Sequence, residues 1–453
     1  MQFYTIKEIN STRKLGGENM RTVNVHEVIN NSKLNKFFLF VWFVCALSLF
    51  FDGFDQRMYG AAMPSMIEDL NLSPEVSGLL GSAAFWGAIL GAILGGILTD
   101  IIGRKKMLFI GVLFYTVFTA LCGTIQENIY LFAFFRFLSG MGIATMTPTS
   151  IAMLSEYTPV ANRRFLLVCN NAALGLGTAI IPLVAIFVLP SFGWRILYLL
   201  AIIGLICLPM ILKLPETMLT HVAKGDRKTI VSILKKANPE FVPSEEDEYV
   251  VDKAETVKYS IGALFRDGLA RNTILIWIMF FINLFILVGM MVWLPQLGVL
   301  MGFTLTNALI IASLFAFGQI VGGIISGYIA NRFGYKKAFI FVYSTTAVLL
   351  FVLTLVKSLA LFMLLVFLVG CASPFQGLMY PFTAANYPMS VRATGMGMGS
   401  SMTRFGAAVS PIVIGYLVGF GFTPIGIFRF LMIPAIIGVI CILLTKPARF
   451  DVD

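Results

Sequence analysis

Runs of roughly twenty consecutive apolar residues recur from about Leu34 to the C-terminus, each long enough to cross a ~30 Å hydrocarbon core as a helix. Inside a bilayer no water satisfies exposed backbone groups, so only helices and closed barrels can span it. Barrel strands would alternate apolar and polar residues. These runs are continuously apolar, which leaves helices. Composition agrees: 58% of the 453 residues are hydrophobic and 12% are charged, whereas a soluble domain carries about 25% charged residues. The mean hydropathy is +0.88. The chain therefore reads as an all-α membrane protein with twelve transmembrane helices. They are expected near 37–63, 75–98, 107–125, 129–155, 164–189, 195–213, 272–297, 304–329, 338–356, 359–385, 393–419 and 424–445. The polar first 36 residues make span 1 its own uncleaved insertion signal.

The net charge of +10 has a topological explanation. All but six of the 33 Lys and Arg fall in the two tails and the even-to-odd loops. The exceptions are Arg57, Arg195, Lys357 and Arg429 on the other side, with Arg136 and Arg404 inside spans. Positive residues mark the cytoplasmic side. This predicts a multi-pass protein of the cell membrane with both termini cytoplasmic, and no nucleic-acid partner. All six cysteines lie within spans, and the only histidines are His26 and His221. No metal site, disulfide framework or cofactor is expected.

The chain repeats itself. A polar insert, about 214–271, separates an expected bundle at 37–213 from another at 272–445, with tails at 1–36 and 446–453. "GAILGAILGGILTDIIGRKK" from Gly87 matches "GQIVGGIISGYIANRFGYKK" from Gly318, 231 positions later. Gly87, Gly91 and Gly95 correspond to Gly318, Gly322 and Ser326, and Gly103 to Gly334. At an offset of 229, Arg163, Gly177 and Pro182 match Arg392, Gly406 and Pro411. Same-sense repeats of six spans are a known transporter plan, giving two pseudo-symmetric six-helix bundles around a central cavity. Glycines four apart line one helix face and let another helix approach closely.

Several motifs carry a resemblance. "GGILTDIIGRKK", Gly95 to Lys106, and "RFLSGMG", Arg136 to Gly142, resemble the loop and span 4 motifs of the major facilitator superfamily. "DGFD" at Asp52, "YGAAMP" at Tyr59 and "RATGMGMGSSMTRFGAAVSP" from Arg392 resemble its aromatic acid:proton symporter branch. The "LPET" at Leu214 is shared with organic-acid and sugar branches. The resemblance implies secondary transport of a small solute with protons by alternating access, in a functional monomer, and no enzymatic activity. An organic acid, including an aromatic carboxylate, is the favoured solute; a sugar or other neutral polar metabolite is the alternative. Asn331 and Tyr335 replace the acid and base usual in the second copy of the loop motif. Span 7 has a lone Asn283 in place of the sugar porters' glutamine- and asparagine-rich signature.

Depth selects the candidate site. At 1.5 Å per residue, Asp52, Asp55, Arg136 and Arg404 fall in one central layer. A charge at that depth costs ~2.5–3.5 kcal/mol on insertion scales, so it faces a partner or an aqueous cavity. Asp52, Asp55 and Arg136 are the proton-coupling candidates; a permanent ion pair is the structural alternative. Arg404 is the candidate for gripping a carboxylate, because its planar fork offers two parallel hydrogen bonds. Pairing with Asp52 across the midplane is its alternative. Asn171, Asn283, Gln376 and Tyr380 are further substrate-binding candidates, with Phe280, Phe281, Phe285, Trp293 and Phe375 as apolar walls. Arg57, rotated away from Asp55, is read as snorkelling toward the surface. The resemblance makes Asp100, Gly103 and Arg104 a gate latch, joined by Glu156, Arg163 and Arg392.

Overall fold

The structure, a computed structural model, describes residues 21–251, 261–266, 268–373 and 376–446, without the side chains of Asp100 and Gln376. Among them, eleven helices are long and apolar enough to cross a membrane. Span 1 is Lys36–Leu70, span 2 Pro74–Ile102, span 3 Arg104–Cys122 and span 4 Ile129–Glu156. Spans 7 to 9 are Ala270–Leu300, Leu305–Phe333 and Tyr335–Leu353. Span 10 comprises Leu359–Ala372 and Gln376–Asn386; spans 11 and 12 are Met389–Gly419 and Pro424–Leu444. Polar residues cap the entries. Asn35 accepts from the backbone N–H of Phe37 and Phe38, and Ser73, ahead of Pro74, accepts from that of Val76. Such caps satisfy N–H groups that have no partner within the helix.

The eleventh candidate is a 53-residue run, Val160–Leu212. Gly193 interrupts it at φ 75°, ψ 174°, a conformation only glycine adopts readily. The chain reverses there. Just past it, Arg195 donates to the carbonyls of Ile125 and Gln126 in the loop between spans 3 and 4. At the other end Glu216 meets Lys105 at the start of span 3. Among the described residues the run thus holds two helical stretches, span 5 before Gly193 and span 6 after it.

The duplication is structural. Span 1 packs most extensively on span 5, span 2 on span 4 and span 3 on span 4 and then the span 6 region; the second half repeats the first two with 7 on 11 and 8 on 10, while 9 packs most on 12. The glycine series explains two of these seams. A Cβ at Gly87 or Gly91 would collide with backbone at Phe137 or Met141 of span 4. One at Gly318 or Gly322 would collide with Phe367 or Cys371 of span 10. Gly103 and Gly334 also match, at φ 94° and 86° in the bend into the following helix. Arg163 and Arg392, at the offset of 229, each donate to the carbonyl five residues earlier, Thr158 and Tyr387.

The bundles meet through spans 2 and 11, 5 and 8, and 1 and 7. Close backbone approaches lie toward the face opposite the chain ends: Gly60 against Met291, Gly78 against Pro411, and Gly415 against Pro74. The seam is closed at that distal face.

Described parts of the tail and the insert form regular structure. Thr22–Asn24 (β1) pairs in parallel with Glu248–Val250 (β2) of the polar insert. The insert carries short helices, Met218–Ala223 and Arg227–Ala237. Ile230, Ile233 and Leu234 bury the apolar side of the second.

Candidate functional site

Span 1 supplies both central carboxylates, each 1% exposed. Asp55 faces span 4, where Nη1 of Arg136 donates to Oδ1 at 2.8 Å and to Oδ2 at 2.9 Å. Thr119 of span 3 donates to the same carboxylate at 2.8 Å. The Arg136 guanidinium also lies 5.9 Å from the Tyr198 ring centroid. Asp55 is thus the centre of a buried, charge-assisted cluster joining spans 1, 3, 4 and 6.

Asp52, one turn earlier, has different partners. Gln56 donates to Oδ1 at 2.8 Å and Thr147 to Oδ2 at 3.1 Å. Among the described residues no cation lies within 4.0 Å of it. The two carboxylates share a helix and a depth but not a chemistry. A proton placed on Asp55 would break an ion pair; a proton placed on Asp52 would break none.

In the second bundle, Arg404 donates to Ser400 at 3.1 Å, and Ser400 lies 3.4 Å from the Tyr380 hydroxyl. The Tyr380 ring sits 5.9 Å from that of Phe280, which fills the notch left by Gly399. Among the described residues Arg404 has no carboxylate within 4.0 Å, so the pairing with Asp52 is absent in this state. The partly exposed guanidinium keeps donors for an anion. Phe405 meets Trp86 of span 2 edge to face at 6.1 Å, placing an aromatic contact between the bundles beside it.

The remaining candidates separate. Asn171 is exposed one turn before Gly175, which faces Ile320 of span 8. Asn283 is fully buried beside the Tyr343 hydroxyl of span 9, inside the second bundle. Trp293 is likewise buried, donating to the Pro411 carbonyl at 3.0 Å. Phe375 and the side chains of Gln376 and Asp100 lie outside the described residues.

The residues expected to form a latch have these partners. Arg104 pairs with Glu156 at 2.8 Å, and Glu156 accepts from the Met218 backbone N–H at 2.6 Å. Arg163 turns elsewhere, to Asn30 of the tail and to Thr158. Arg392 bonds Tyr387, so both arginines brace the turn into their own helix rather than bridge the bundles. Arg57 departs from expectation most. It is 1% exposed, not snorkelling, and reaches span 8 of the other bundle.

The model of the Major Facilitator Superfamily matches residues 45–314 and 308–451, nearly the whole described chain. This protein belongs to the major facilitator superfamily. Its curated relatives include a benzoate transport protein of Acinetobacter baylyi, 29% identical over 95% of this chain and 94% of that one. A 4-hydroxybenzoate transporter of the same organism is 29% identical over 96% and 97%, and a gentisate transporter of Corynebacterium glutamicum is 27% identical over 81% and 78%. Among solved structures, a D-xylose-proton symporter superposes with a TM-score of 0.70 at 16% identity, covering 91% of this chain and 98% of that one. That likeness is one of fold. As a superfamily member the protein is a multi-pass membrane transporter, not an enzyme.

Sequence reasoning missed four members of this transporter's polar framework. Thr119 lies in a largely apolar stretch and Thr147 among other hydroxyls, Thr145, Thr149 and Ser150, so no spacing signal marks either. Gln56 was visible as the residue four after Asp52, on the same helix face. Glu216 stood in the quoted "LPET"; its carboxylate accepts from the Lys105 and Thr217 N–H groups and occupies the space beside Gly103.

Proposed function

We propose that this transporter carries a small aromatic carboxylate together with a proton across the cell membrane, as a monomer with both termini in the cytoplasm. The observation that carries the reading is the unequal treatment of two carboxylates on one helix. Asp55 is locked to Arg136, while Asp52 is held by neutral donors alone. Asp52 is then the proton-exchanging group and the Asp55–Arg136 pair its rigid support. Arg404 is the anion-binding group, facing the solute from the opposite bundle. Proton and solute load on different bundles, so rocking one bundle against the other moves both. The relatives, named as transporters of aromatic acids, support the solute class. The side with most Lys and Arg supports the orientation, and the closed distal seam is then the outer gate.

The test is uptake of labelled benzoate and 4-hydroxybenzoate into proteoliposomes with and without an inward proton gradient. Wild type should accumulate solute only with the gradient. Asp52→Asn should keep solute exchange at equal pH but lose gradient-driven accumulation. Arg404→Lys should weaken binding, because a point charge cannot reproduce the two-pronged grip. Undiminished gradient-driven accumulation by Asp52→Asn would refute the coupling role. Competition by D-xylose with none by the carboxylates would refute the solute class.

A further inference from the structure

Arg57 is a buried cation in an unusual setting. Its Nη1 donates to the Ala312 carbonyl at 3.3 Å and its Nη2 to Oε1 of Gln319 at 3.1 Å. The guanidinium carbon lies 5.1 Å from the Phe315 ring centroid. Ala312, Phe315 and Gln319 sit at i, i+3 and i+7, on one face of span 8. Two hydrogen bonds thereby join the bundles through one side chain. Gly60, three residues on, meets Met291 of span 7, so Arg57 lies in the distal seam.

The charge itself is unanswered. Among the described residues no carboxylate lies within 4.0 Å of Arg57, and Asp52 and Asp55, within five residues of it on its own helix, face elsewhere. Among the described residues two buried donors in the cluster lack a partner: Nε of Arg57 and Nε2 of Gln319. Carbonyl dipoles and a ring face offset a buried guanidinium incompletely. Carbonyls and an aromatic face would hold a methionine or glutamine at lower cost. A full positive charge is useful where an anion arrives.

We propose that Arg57, with Gln319, is the residue pair that receives the solute's carboxylate from outside, alternating between span 8 and the anion. This rests on the aromatic-acid reading above. When the distal seam parts, Arg57 loses Ala312 and Phe315 and faces the outer vestibule with its fork free. A carboxylate there gains the planar two-bond grip and the Gln319 amide. Closing the seam returns the guanidinium to span 8, releasing the carboxylate toward Arg404. Arg57 thus sets entry affinity from one side only.

That asymmetry is the test. Benzoate transport is measured in right-side-out and inside-out vesicles for wild type, Arg57→Gln, Arg57→Lys and Gln319→Glu. Arg57→Gln should raise the half-saturating external concentration about tenfold or more, the factor a charge-assisted hydrogen bond supplies. Half-saturation from the cytoplasmic side should stay within about twofold. Arg57→Lys should recover part of the external affinity. Gln319→Glu supplies a tethered carboxylate to Arg57 and should raise external half-saturation at an unchanged amount of folded protein. Equal shifts on both sides in Arg57→Gln, or unchanged external half-saturation in both Arg57→Gln and Gln319→Glu, overturn the proposal while wild type transports normally. A wild type with no saturable benzoate or 4-hydroxybenzoate flux overturns the aromatic-acid reading, and this proposal with it.

Discussion

Replacing Arg136 by glutamine removes the cation from a carboxylate that is 1% exposed and accepts two of its three hydrogen bonds from that guanidinium. Thr119 alone then remains to Asp55. Breaking a buried pair by removing one partner costs about 3–5 kcal/mol, because the survivor is left desolvated and uncompensated. At about 2–4 °C per kcal/mol for a unit the size of one bundle, the unfolding midpoint should fall by roughly 6–20 °C. The double variant Asp55→Asn/Arg136→Gln contains no orphan charge. It should recover a large part of the loss, giving a coupling of about 0.5–3 kcal/mol in the double-mutant cycle. Thermal unfolding in detergent, followed by intrinsic fluorescence, reads this directly. Trp194 is well placed as reporter, with its ring 5.9 Å from that of Tyr198, which in turn faces Arg136. If the double variant is as unstable as the sum of the two single ones, the ion pair does not hold the cluster together and the reasoning fails.

Two further outcomes follow from the duplicated backbone. Gly91→Leu and Gly322→Leu should each disrupt folding, by more than the 1–3 kcal/mol typical of core overpacking, because backbone of the neighbouring span blocks the new side chain. Gly96→Leu and Gly327→Leu, where nothing lies within 4 Å, should leave yield and monodispersity on size-exclusion chromatography unchanged. At the matched bends, Gly334→Ala should cost only the backbone strain of an extended positive-φ conformation, about 1–3 kcal/mol. Gly103→Ala should cost more, since its Cβ would also meet the Glu216 carboxylate, and paired thermal midpoints check the difference.

Sequence alone determined the crossing helices and their duplication. Apolar length is a property of a local stretch, and a repeat is visible wherever two stretches can be aligned. The Asp55–Arg136 pair was legible as a candidate because depth along a helix follows from residue count. Direction around the helix axis was only half legible. Helical phase turned Arg57 away from Asp55, but nothing local revealed that span 8 waited there with a carbonyl and a glutamine. The same limit hid Thr119 behind Asp55, Thr147 behind Asp52 and Tyr343 behind Asn283. It also hid the pairing of β1 with β2, more than 200 residues apart. What tertiary structure decided is therefore which neighbour each polar group faces. In a bilayer that neighbour sets whether a charge is compensated, movable or free to bind, because no water is present to make all three equivalent.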